Sequence, residues 1–478
     1  MNNRSYIFSI FYALLFILSL ITDWYSILAI TLFTTLIIAL LDKLGKGIVL
    51  RELISIFACF ICLIMPLLGY SIYGKDNPLA LLWVKYMPIP KERYFSFALP
   101  ALAAFNLTLL WPIRGKGYSD EGVNILRIVA ALKDRLKNMP GIGVYLMIIG
   151  VVTFWFVGMM PVSLRFIVTL IYFISFAGLL YVYFSPVAKY KNIVIILFVI
   201  FIVGNALRSG MFTVVAYMGI TVFSILFIGK KTSLFKKTLL FFLGAFSLLL
   251  IQSVKQTYRK FTWIDKYKGS KAVLFVNLMA DRISDSKNLF SSDNFFPIYY
   301  RTNQGFNVAL VMRRIPRVQP YDGGNRLALS FAASLVPRVL WPNKPEAGGK
   351  FNMRYYAGVE LRGWSTNVGP LGEAYGSFGV TGGIIFMFFL GLFIRWCYKM
   401  VFKLSLVNPL LILWIPVLFY QVTYSAESDT LQILNSLFKS ALFIWILYKV
   451  FPAWFGKTKY SSLARQMNRP VETNIVAH

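Results

Sequence analysis

Residues 335–345 read LVPRVLWPNKP, which places Arg338 and Lys344 among three prolines. Proline locks φ, so the backbone around both cations is stiffened and their charged heads are held in restricted directions. Just upstream, Arg313, Arg314 and Arg317 close a short apolar stretch in GFNVALVMRRIPRVQPYDGG, residues 305–324. Preorganised cations suit an anion, and the chemistry these residues favour is binding of a phosphate-bearing substrate. Arginine is best placed for it, because its planar fork takes phosphate oxygens in pairs. For any one of them, contact with anionic lipid headgroups is the competing reading.

The elements that must carry these cations are membrane helices. Of 478 residues 58% are hydrophobic, 17% aromatic and only 14% charged, and the apolar residues come in long runs. A helix needs about 20 apolar residues to cross the hydrocarbon core. About twelve spans are predicted, near 5–22, 24–41, 53–72, 94–113, 142–160, 164–184, 192–208, 211–228, 238–254, 374–394, 407–424 and 430–448. The first is read as retained, since no small-residue cleavage site follows it. With both termini cytoplasmic, the inner loops and tails hold 24 Lys and Arg and the short outer loops six. That asymmetry sets the expected orientation.

The chain therefore divides into helices one to nine (1–254), a large outer segment (255–370), helices ten to twelve (371–450) and a basic cytoplasmic tail (451–478). The outer segment carries 18 Lys and Arg against seven Asp and Glu, a net +11. Long loops are exempt from the positive-inside rule, so this excess is no orientation signal. Helical spacing is expected over 271–290, 305–316 and 325–336, the last broken at Pro337. Cys59 and Cys62 form C-x-x-C inside an apolar span, where two small buried residues are the better reading than redox chemistry or metal. The only histidine is His478, which leaves no His-based general base or zinc site in the spans and loops. No Gly-rich phosphate loop, H-E-x-x-H or Asp-x-Asp motif is present, and nothing points to nucleic acid.

LVPRVLWPNKP, followed by NVGPLGEAYGSFGVTGG at 367–383, resembles the closing section of Wzy-type oligosaccharide repeat-unit polymerases. GNALRSGMF at 204–212 is similar to a Gly-x-Arg-Gly element of that family, although here the order is Arg208, Ser209, Gly210. The resemblance implies an all-α, GT-C-like membrane glycosyltransferase of the bacterial inner membrane, with a large helical periplasmic loop. It implies transfer of a glycan from undecaprenyl diphosphate to another lipid-linked repeat unit, yielding an O-antigen or related lipopolysaccharide polymer. No metal or other cofactor is implied; the implied partners are the lipid-linked oligosaccharide, membrane lipids and a chain-length regulator. An O-antigen ligase is the nearest alternative, disfavoured because such ligases are associated with a periplasmic histidine. A lipid-linked oligosaccharide flippase is the other, disfavoured because no internal repeat is visible.

As the bond from the sugar to the diphosphate breaks, negative charge gathers on the leaving group, and fixed cations there lower the barrier. The candidates are Arg338, Lys344, Arg313 and Arg314, with Arg301 and Arg208 behind them. A carboxylate must accept the proton of the attacking sugar hydroxyl. Glu373 is the first choice; Glu427, Asp429 and Asp322 are alternatives, and an acidic residue at a helix start is the plainer account of each. Trp341, Trp364 and Tyr375 are the candidate sugar-facing rings, against an interfacial aromatic belt.

Overall fold

The computed structural model describes residues 4–210, 212–265, 267–284, 291–336, 340–345, 348–362 and 365–456. Arg338, Trp364, residues 285–290 and most of the basic tail lie outside the described residues. The protein is an all-α, membrane-embedded chain. Among the described residues, ten helices are long and apolar enough to cross a bilayer, or eleven if a pair bent by 88°, Gly122–Lys137 and Ile142–Val157, is one span.

The difference from twelve lies in helix length. Ile142–Val157 has 16 residues and Thr213–Leu226 has 14, which rise about 24 and 21 Å against a core of about 30 Å. The run at 407–424 also departs from a regular span. It is built from a 3₁₀ turn (Pro409–Trp414), a short α-helix (Ile415–Phe419) and a second 3₁₀ turn (Gln421–Glu427). Pro409 and Pro416 remove the backbone donors that a continuous helix needs.

The chain forms two compact units. One contains Ile113–Ile195, Trp396–Leu418 and the described residues from Ser440 onward. There Ile142–Val157 lies against Val162–Phe184 through Gly143, Gly150 and Gly178; a Cβ on any of them would fall within 2.8 Å of the facing helix. Small residues let two helix backbones approach closely where lipid offers no hydrophobic drive for association. The Tyr181 hydroxyl ties this unit together, donating to the Trp454 carbonyl and accepting from the Trp414 indole.

The other unit holds the residues up to Pro112, Ile196–Arg395 and Phe419–Lys439. The most buried of its membrane-length helices is Lys91–Leu110. Arg51 and Arg395 donate to the carbonyls of Leu109, Trp111 and Pro112, satisfying the end of that helix with positive charge. Lys43 and Glu52 form a buried ion pair at 2.9 Å.

The glycine-rich stretch at 367–383 becomes the start of the Gly369–Ser405 helix. Gly379, at φ 71° and ψ −156°, breaks it, so the first turns are set apart from the apolar remainder. Only glycine adopts that conformation without strain. Gly376 lacks a side chain for a different reason: a Cβ there would fall 2.4 Å from the Tyr356 ring. The sequence thus brings residues 353–357 directly onto the turns that carry Glu373.

Candidate active site

Glu373 lies two turns before the Gly379 break and is 3% exposed. One carboxylate oxygen accepts from Asn352 Nδ2 at 2.8 Å. The other accepts from the Thr430 backbone N–H at 2.8 Å and from its hydroxyl at 2.5 Å. Asp429 is beside it and 1% exposed. Its Oδ1 takes the Gln432 N–H at 2.6 Å, and its Oδ2 takes the Gly348 N–H at 2.7 Å and Asn367 Nδ2 at 2.9 Å. Asp429 is therefore the N-cap of the Thr430–Val450 helix, and Glu373 reaches the first turn of the same helix from the side.

Asn367 is fixed in turn. Its carbonyl accepts from Gln304 Nε2 at 2.7 Å and Asn307 Nδ2 at 2.9 Å, and Asn307 also donates to the Thr366 hydroxyl. The two carboxylates thus belong to a buried polar network drawn from four distant stretches of chain. Such networks rigidify a site when each member is satisfied.

Burial pushes the Asp429 carboxyl above its usual range, more than its three hydrogen bonds pull it down. The folded state then holds this proton more tightly than the unfolded chain, whose aspartates titrate near about 3.9. Its contribution to stability is complete below that value and is lost as pH rises through the folded-state pKa. The thermal midpoint of the wild type, relative to Asp429→Asn, is expected to fall as pH is raised from 4 towards 8. A difference that grows with pH would contradict the assignment.

The network borders a small cleft whose polar lining is Arg326, Ser330, Asn352, Tyr356, Glu373 and Asp429. The Arg326 guanidinium stacks 4.0 Å from the Phe351 ring centroid and 5.3 Å from that of Tyr355. Among the described residues it has no hydrogen bond or ion pair, so its fork is free to engage an anion. Tyr356 donates to Asp322 Oδ2 at 3.2 Å and lies 3.3 Å from the Ser377 hydroxyl. A proton acceptor, a hydroxyl and an unengaged guanidinium thus face one small space.

The other residues expected from the sequence are dispersed. Lys344 is buried, and its ammonium donates to the carbonyls of Ala333 at 2.7 Å and Val336 at 2.6 Å. It closes the end of the Asn325–Leu335 helix. Arg313 is exposed, and Arg314 donates to Gln319 at 3.3 Å beside Gly358. Arg208 is exposed at the last turn of Lys191–Ser209, its carbonyl taking Lys271 Nζ at 3.1 Å. Arg301 is exposed on Ser292–Thr302. Trp341 is half-buried. Tyr375 is 3% exposed, edge-on to Phe97 at 5.1 Å and to Tyr321 at 5.9 Å, a packing position. Glu427 accepts from the Tyr217 hydroxyl at 2.8 Å.

Residues 130–453 match the model of a protein family described as a domain of unknown function (DUF8712). The chain belongs to this family. No curated protein and no solved structure matches it. The DUF8712 region contains the whole polar lining of the cleft, Arg326, Ser330, Asn352, Tyr356, Glu373 and Asp429.

Arg326, Asn352 and Tyr356 are the residues sequence reasoning missed. The nearest signal was Arg326 in the first turn of an apolar helix, directly after the Pro-Asp-Gly turn. Lys85 was missed as well. It is 9% exposed, its ammonium lies 3.9 Å from the Phe306 ring centroid and 4.9 Å from that of Tyr300, and burial lowers its pKa to about 8.

Proposed function

We propose that the protein is a membrane glycosyltransferase that polymerises oligosaccharide repeat units carried on a lipid diphosphate, at the periplasmic face of the bacterial inner membrane. The observation that carries this reading is the buried Glu373 carboxylate sharing a cleft with an unengaged Arg326. The resemblance of LVPRVLWPNKP and NVGPLGEAYGSFGVTGG to Wzy-type polymerases supports the substrate class.

In the reaction, the hydroxyl of the acceptor sugar attacks C1 of the donor sugar while Glu373 takes its proton. The bond from C1 to the diphosphate breaks, and the electron pair leaves with the lipid diphosphate. Arg326 meets the charge that develops there, and Arg338 is the further cation expected at this position from the sequence. Hydrogen bonds from Asn352 and Thr430 hold the Glu373 carboxylate in one orientation, so little reorganisation is needed when the hydroxyl arrives. Asp429 is assigned the orienting role: it caps the Thr430–Val450 helix through the Gln432 N–H and holds Asn367 in place.

The test is direct. Purified protein given lipid-diphosphate-linked repeat units, without nucleotide sugar, is expected to produce a ladder of longer glycans on the lipid. Transfer to lipid A core in place of a ladder would make it a ligase, and unaltered substrate appearing in the opposite leaflet of proteoliposomes would make it a carrier.

A further inference from the structure

We infer that Lys255, Arg259 and Arg301 form a second binding site, for a phosphate group, at the end of the Leu234–Arg259 helix and distinct from the Glu373 cleft. Lys255 and Arg259 are four residues apart and share one helix face. The Ser292–Thr302 helix packs against this helix and brings Arg301 within electrostatic reach of both.

Among the described residues, none of the three forms an ion pair. Lys255 and Arg301 have no hydrogen bond or ion pair among the described residues. Among the described residues Arg259 donates only through Nε, to the Gly210 carbonyl at 2.9 Å, and its guanidinium lies 4.5 Å from the Trp263 ring centroid. That contact fixes the fork and leaves both terminal nitrogens unengaged. Among the described residues, one carboxylate, Glu427, lies within electrostatic reach of Lys255, and it already accepts from the Tyr217 hydroxyl at 2.8 Å.

Three cations gathered against one carboxylate repel one another, and water screens the half-buried Lys255 and Arg259 less than the exposed Arg301. A group bearing two negative charges and three acceptor oxygens relieves that repulsion. Two guanidinium forks and an ammonium match a phosphate better than a carboxylate, which offers only two oxygens. The phosphate is carried by a lipid or free in solution; the chemistry is the same, and the position beside an apolar span admits either. The inference stands whether or not Glu373 acts as a base.

The full-length protein in phosphatidylcholine nanodiscs would be titrated with inorganic pyrophosphate and, separately, reconstituted with increasing phosphatidic acid, following the thermal midpoint. At least one probe is expected to raise it. Lys255→Gln, Arg259→Gln and Arg301→Gln should each weaken that probe about tenfold or more, the loss of one charge-assisted hydrogen bond. Lys268→Gln, an exposed lysine of the same segment, should bind as wild type does. A response to pyrophosphate identifies the phosphate alone as sufficient, and a response to phosphatidic acid only identifies a lipid phosphate; both support the site. It is overturned if the wild type responds to neither probe, if the three variants bind as tightly as wild type, or if Lys268→Gln loses as much as they do.

Discussion

Glu373→Gln is expected to lower the rate of glycan transfer by about 10²–10⁴-fold, the usual yield of a positioned general base, while the protein still inserts and folds. The amide has the size and shape of the carboxylate, and its oxygen still accepts from Thr430. What it loses is the capacity to take a proton. The loss should fall on kcat, because the step removed lies in the transition state and not in binding. Turnover assayed with saturating lipid-linked repeat units separates the two. Normal kcat in a folded Glu373→Gln protein would reduce the residue to a buried fastener between Asn352 and the helix at Thr430.

Arg326→Ala is expected to cost about 10²–10³-fold in kcat, the loss typical when one group stabilising transition-state charge is removed. Because its guanidinium has no hydrogen bond or ion pair among the described residues, the substitution should leave the thermal midpoint nearly unchanged, apart from the stacking on Phe351 and Tyr355. Arg326→Lys should recover only a fraction, since an ammonium keeps the charge but not the bidentate fork. If Arg326→Ala turned over at the wild-type rate, the leaving diphosphate would have to be met elsewhere. The variant pair distinguishes catalysis from packing: a structural arginine would lower the midpoint and kcat together.

Much of the fold was legible because bilayers impose a simple rule, a long apolar run for each crossing. The runs at 5–22, 24–41 and 430–448 appear as Arg4–Ile21, Tyr25–Lys43 and Thr430–Val450. Hydropathy cannot register whether an apolar run is one continuous helix. The stretch from Pro409 to Glu427 is as apolar as the Thr430–Val450 helix that follows it, yet its backbone turns in 3₁₀ fashion at both ends. Glu373 stood out because it follows NVGPLG at the start of the helix that re-enters the membrane, where a side chain can face both loop and bilayer. Arg326 did not, because what distinguishes it is the company of Glu373 and Asp429, both more than forty residues away in sequence. Lys344 shows the converse. Its proline frame suggested a cation offered to substrate, whereas its ammonium is directed to two backbone carbonyls at the end of the preceding helix. Composition reveals a charge; only tertiary contacts reveal whether that charge is already answered.

The polar network around Glu373 draws on Asn307, Asn352, Asn367 and the Asp429–Thr430 pair, so its parts are synthesised far apart in time. A chain still emerging from the ribosome has Glu373 in hand but not yet the hydroxyl and amide that anchor it. The acid acquires its orientation only when the final long helix has been laid into the bilayer, and a truncated translation product would carry every upstream motif and still be inert.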